Sequence, residues 1–140
     1  MTQFKLNVNV DSSSPFHDLD AFTQGYIEAM FFTNGDTGDE NEDLLNELGV
    51  AAITPESMKS IVRDCERFKK EAAALLEEAT GRGYSARFLG IDFWQTRQGY
   101  IVELWFEEVL YEDGLSEKLT DIARKFGAAT VCVCGDEIIY

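Results

Sequence analysis

The chain has 140 residues and a mass of 15.8 kDa, with 45% hydrophobic and 12% aromatic residues, enough for one core and too few for two, so a single domain over 1–140 is expected. Twenty-six Asp and Glu against twelve Lys and Arg leave a formal net charge of -14, which argues against direct duplex DNA binding and against anionic membranes, because phosphate affinity comes mainly from Lys and Arg. No run of about 18 apolar residues occurs and the first ten residues alternate polar and apolar, so neither a membrane span nor a secretory signal is expected, and the expected location is the cytoplasm.

Phe4, Leu6, Val8 and Val10 alternate with polar residues, the period of a half-buried N-terminal strand. Ser14-Pro15 then resembles a cap and first helical position, and Phe16, Leu19, Phe22, Tyr26 and Met30 share one face of a helix expected to run to about Phe32. From Asn34 to Glu47 there are six acids and no base, with Gly35 and Gly38 among them. Mutual repulsion and loosened backbone predict a solvated acidic loop over about 34–50, with one helical turn around Leu44 to Leu48.

Thr54-Pro55-Glu56 carries a cap, a proline that loses no needed donor, and an acid at the positive end of the helix dipole. Behind it Met58, Ile61, Val62, Cys65, Phe68, Ala72, Leu75, Leu76 and Ala79 follow one stripe until Gly81 and Gly83, predicting one long central helix over residues 55–80. The aromatic and β-branched stretch from Tyr84 to Tyr111, with Arg97-Gln98-Gly99 as its turn, predicts a central antiparallel hairpin. Leu115 to Phe126 reads as a helix ended by Gly127, and Thr130 to Tyr140 as a last strand or a pair of short strands around Gly135-Asp136. The expected class is therefore α+β: an antiparallel sheet of N-terminal strand, central hairpin and C-terminal strand, packed against a long central helix and two shorter helices.

Residues 54–83 hold six acids and six bases, so all the excess acid lies outside the long helix. On that helix Lys59, Arg63, Arg67 and Lys70 fall at steps of four, four and three and form one basic ridge, either paired locally with Glu56, Glu66 and Glu71 or available as a cationic patch.

Most catalytic and cofactor constellations are missing from the sequence. His17 is the only histidine, which leaves a Cys-His or Ser-His-Asp machine only His17 as base. Three cysteines, an odd number, suit a reducing compartment, and Cys65, Cys132 and Cys134 are expected as buried thiols. Cys132-x-Cys134 has no second pair to complete a zinc site. In a twelve-residue loop starting at Asp36 the sixth position is Asn41 where a calcium loop needs Gly, and no Gly-rich phosphate loop is present. No metal or organic cofactor is expected. Asp92 and Glu103 are the carboxylates that an acid–base activity would use, but their spacing does not mark them off from structural acids.

The hairpin segment itself supports two readings. Strand alternation sets Asp92, Trp94 and Thr96 on one face and Phe93, Gln95 and Arg97 on the other. One reading is an aromatic core whose polar groups satisfy local hydrogen bonds. The other is a stacking platform of Trp94, Arg97 and Tyr100, with Asp92 beside it, receiving a nucleobase or ring. Residues 90–105 also resemble the segment G-H-D-F-W-L-T-R-N-G-H-G-x-G-F-W of a family of small uncharacterised proteins encoded by bacteriophages and prophages, matching at Gly90, Asp92, Phe93, Trp94, Thr96, Arg97, Gly99 and Trp105. Looser matches run through Phe22-Thr23, Gly25 to Ala29, Thr54 to Glu56, Asp64-Cys65, Phe68, Leu119-Thr120, Ala123, Phe126-Gly127, Gly135-Asp136 and Tyr140. Ile91, Tyr100, Ile101 and Glu103 depart from the pattern. The resemblance implies no particular activity; it implies a phage or mobile-element accessory protein acting inside a bacterium.

Two functional expectations follow. In the first, a small acidic accessory protein binds and modulates a host or defence protein with a basic surface, chiefly through Asp36, Asp39, Glu40, Glu42, Asp43 and Glu47; its sharper form is an inhibitor that mimics DNA. In the second, a nucleobase or single-strand binding module uses Trp94, Arg97 and Tyr100 for stacking and Lys59, Arg63, Arg67 and Lys70 for phosphates.

Overall fold

A computed structural model describes residues 19–32, 49–99 and 114–140. Among them are five α-helices and one small sheet: α1 (Ala21–Phe32), α2 (Pro55–Glu71), α3 (Ala73–Gly81), α4 (Ala86–Gln98), α5 (Leu115–Arg124), β1 (Cys132–Cys134) and β2 (Glu137–Ile139). The expected α+β class with an extensive antiparallel sheet is thus overturned: the described chain is mostly helical, and its sheet is two short antiparallel strands. These pair Cys132 with Ile139, Val133 with Ile138 and Cys134 with Glu137, around Gly135 at φ 65°, a backbone setting that favours glycine. The expected N-terminal strand lies outside the described residues.

The largest correction concerns the central hairpin, whose first strand is α4. The Ser85 side chain caps α4 by accepting from the Arg87 N–H, and Gly99 closes it at φ 73° with its own N–H on Gln95 O and Thr96 O. Arg97-Gln98-Gly99 is therefore a helix C-terminus and not a hairpin turn. Leu89, Gly90, Ile91, Asp92, Phe93, Trp94 and Thr96 are all buried, so this helix is enclosed nearly all round. An enclosed helix has no polar stripe to reveal its period, and its aromatic and branched residues then imitate a strand.

The partner of α4 is α1, which is equally enclosed: Phe22, Tyr26, Ile27, Ala29, Met30 and Phe31 are buried. Glycine on each helix permits their contact. A Cβ on Gly25 would stand 2.0 Å from Arg87 O, and one on Gly90 would stand 1.9 Å from Phe22 O, so the two backbones touch where side chains would otherwise hold them apart. Asp20 starts α1 by accepting from the Thr23 N–H at 2.8 Å, and Arg87 on α4 reaches back to Glu28 and to Gln24 Oε1 (2.8 Å) on α1.

Around this pair, α2 obeys its sequence pattern. Thr54 accepts from the Ser57 N–H at 3.1 Å, Pro55 opens the helix, and Ser57, Ile61, Cys65 and Phe68 form the buried stripe. The expectation of one unbroken helix over 55–80 is corrected at Ala72, whose φ of -102° and ψ of 15° bend the chain between α2 and α3. The Ala72 N–H still bonds Phe68 O (2.9 Å) and the Leu76 N–H still bonds Ala72 O (2.8 Å), so the bend costs no hydrogen bond there and turns Ala79 into the core while α3 packs on α5. The rings of Phe68 and Phe93 stack 4.1 Å apart at 14°, with Phe126 edge-on to Phe93 at 5.2 Å.

Gly90→Ala is expected to destabilise the protein by about 3 kcal/mol, since neither backbone can yield to the new methyl group without parting the helices. Gly81→Ala, where a Cβ meets nothing within 4 Å, should instead add up to about 1 kcal/mol through helix propensity. Urea denaturation of the two variants checks the contrast.

Candidate functional site

Side chains from several elements converge on one point, the Arg97 guanidinium. Its Nη1 donates to Asp64 Oδ2, to the Tyr26 hydroxyl and to the Tyr140 hydroxyl, each at 2.9 Å. Its Nε donates to Gly127 O at 2.8 Å and its Nη2 to Phe126 O at 3.3 Å. The side chain is only 7% exposed, and its Cζ lies 5.6 Å from the Phe93 ring centroid and 5.7 Å from that of Phe126. Tyr140 in turn donates its O–H to Asp64 Oδ2 at 2.6 Å, and the two tyrosine oxygens are 2.7 Å apart. The Tyr140 N–H bonds Ser57 Oγ at 2.9 Å, which ties the strand end to the first turn of α2.

One guanidinium therefore joins α1, α2, α4, the segment after α5 and the residue following β2. Only a planar fork of five N–H donors serves acceptors in so many directions. Burial opposes its charge, yet the Tyr26 and Tyr140 hydroxyls and the Asp64 carboxylate hold its proton more firmly than a free arginine does. Burial likewise pushes the Tyr26 and Tyr140 hydroxyls above the ordinary tyrosine range. Each nitrogen of the guanidinium is engaged by protein acceptors, so this polar centre is a structural knot.

The other expected binding residues are distributed differently. Trp94 is fully buried and meets Tyr26 edge-on at 5.3 Å, and Asp92 is buried with Oδ2 accepting from the Tyr84 hydroxyl. Trp94 and Arg97 thus lie inside the protein, away from any incoming base, which corrects the stacking platform. Tyr100, Glu103 and His17 lie outside the described residues, as do Asp36, Asp39, Glu40, Glu42, Asp43 and Glu47. Lys59, Arg63, Arg67 and Lys70 are all exposed. Around Arg63, Arg67 and Lys70 the surface dips into a shallow, open depression also lined by Glu66 and Lys69. Lys69 is engaged by Asp20 and by Glu66 at 2.8 Å, while Arg67 lies over the Phe126 ring at 5.3 Å.

The thiols also depart from expectation. Cys65 is buried, and burial raises its pKa, but Cys132 and Cys134 are exposed. Among the described residues no group of three or more His, Cys, Asp or Glu side chains converges as a metal site, and no helix is long and apolar enough to cross a membrane. Sequence reasoning missed Tyr26, Asp64 and Tyr140 as partners of Arg97. Their one signal was their presence among the scattered matches of the resemblance.

The described residues carry thirteen acids and eleven bases, whereas the remaining segments carry thirteen acids and one base, Lys5. Comparisons with protein-family models, with curated proteins and with solved structures find no match.

Arg97→Lys should cost about 3 kcal/mol, because an ammonium replaces the fork and leaves buried acceptors unmet, whereas Tyr140→Phe should cost about 1 kcal/mol. The folded state keeps Tyr26 and Tyr140 protonated at a pH where exposed tyrosines ionise. Their contribution to stability is thus complete below about pH 10 and is lost as the pH rises beyond it. Denaturation followed from pH 8 to 11 should show that decline, and Tyr140→Phe should make it shallower.

Proposed function

We propose that the protein is a small acidic binding protein that engages a positively charged surface on a partner protein. The single observation supporting this reading is the distribution of charge along the sequence: the described residues carry thirteen acids and eleven bases, and the other segments thirteen acids and one base. In this reading the body is the scaffold, held rigid by the glycine crossing and the Arg97 knot. The contact is made by Asp36, Asp39, Glu40, Glu42, Asp43 and Glu47, which bring partners together by long-range attraction. The resemblance to phage-encoded proteins makes the bacterial cytoplasm the place of action and a host or defence protein the partner. If that partner is a nucleic-acid enzyme, the carboxylates occupy the cleft that receives phosphates, and inhibition by mimicry of DNA follows.

The test is capture from a bacterial lysate at low salt, followed by association kinetics with the retained protein. Replacing Asp39, Glu40, Glu42 and Asp43 by the corresponding amides should leave folding stability within about 0.5 kcal/mol. It should slow association about tenfold below roughly 0.1 M salt, where the Debye length is ~10 Å. Equal association rates for the two proteins would remove the acidic segment from the interface.

A second reading retains one specific observation, the exposure of Lys59, Arg63, Arg67 and Lys70 on one face of α2. There the ridge meets the phosphates of a single strand. A gel shift at low salt that is abolished by Arg63→Glu would favour it over the acidic-contact reading.

A further inference from the structure

Cysteine without a disulfide is among the most buried of residue types, and where it is not buried its reactivity usually explains its presence. Cys65 follows the rule, at 0% exposure in the core. Cys132 and Cys134 break it together: both are exposed, both are free thiols, and their sulfur atoms are 3.9 Å apart. The strand explains the pairing, because residues two apart on β1 project to the same side. Between them Val133 is paired with Ile138, which is fully buried, so one side of the hairpin is anchored in the core and the other presents two sulfurs to solvent. The Thr54 N–H on Ile138 O at 3.2 Å and the Tyr140 N–H on Ser57 Oγ at 2.9 Å hold β2 against the start of α2. The dithiol therefore stands on a fixed support.

We propose that Cys132 and Cys134 form a two-thiolate chelate for a soft cation of low coordination number, of which Cu(I) is the type. A disulfide needs sulfurs about 2.05 Å apart, so the two side chains would have to close in from 3.9 Å to make one. A bridging ion needs no such change. Two thiolate–metal bonds of about 2.3 Å across the observed 3.9 Å subtend an angle of about 115°, near that of a trigonal centre with its third position open. Zinc asks for four ligands, and no group of three or more suitable side chains converges among the described residues. Thiolate pairs select soft ions such as Cu(I). Binding makes two S–Cu bonds, releases the two thiol protons to solvent and transfers no electron.

The experiment is anaerobic titration of the full chain with Cu(I) against a chromophoric Cu(I) chelator. The expected result is one Cu(I) per chain, with affinity falling at least a hundredfold in Cys132→Ser and equally in Cys134→Ser. Apparent affinity should also fall by up to roughly a hundredfold per pH unit between pH 7 and pH 5, as two protons compete for the sulfurs. Both substitutions are at exposed positions, and an unchanged circular dichroism spectrum keeps the comparison valid. The proposal is overturned by unchanged affinity in either serine variant, by failure to take Cu(I) from the chelator, or by one ion per two chains, which would make the site intermolecular.

Discussion

The described structure depends on the approach of α1 to α4. Two glycines, Gly25 and Gly90, let the backbones meet so closely that an added methyl group would fall about 2 Å from a carbonyl oxygen on either side. Because the helices are in contact and not merely adjacent, each covers the other and both become enclosed. Enclosure explains why α4 contains a buried Asp92 and a buried Trp94, and why Glu28 on α1, only 5% exposed, is matched by Arg87 on α4. A buried carboxylate is tolerated when its charge is met. The crossing sets the position from which Arg87 meets it.

The same crossing positions Arg97 two turns further along α4. From there its guanidinium reaches Tyr26 on α1, Asp64 on α2 and Tyr140 beyond β2, so one side chain couples segments far apart in sequence. Beside this point the rings of Phe68, Phe93 and Phe126 pack together and join α2, α4 and the segment after α5. A segment rich in aromatic, acidic and guanidinium groups has the composition of a binding site, yet here those groups are consumed in joining the helices. What remains at the surface of the described residues is simpler: a basic ridge on α2 and two thiols on β1.

This separation of roles gives the proposed function its physical sense. The described residues, with thirteen acids against eleven bases, lose little stability to self-repulsion, and in the proposed function the excess acid of the other segments would serve long-range attraction. The dithiol is independent of that charge, being placed by strand geometry and by the anchoring of β2 against α2.

Local signals in the sequence were sufficient where they acted locally. Thr54-Pro55-Glu56 capped α2, the stripe of Ile61, Cys65 and Phe68 faced the core, Leu115 began α5, and Gly135-Asp136 turned the last two strands, because caps, periodicity and tight turns depend on neighbours a few residues away. In α4 the local cues were present too, with Ser85 before it and Gly99 after it, but enclosure removed the polar face that would have shown its period. The bend at Ala72, the burial of Trp94 and the convergence on Arg97 were decided only by tertiary packing. They arise from contacts between residues tens of positions apart, which no local pattern records: Gly90 against Phe22, Arg97 against Asp64, and Tyr140 against Tyr26.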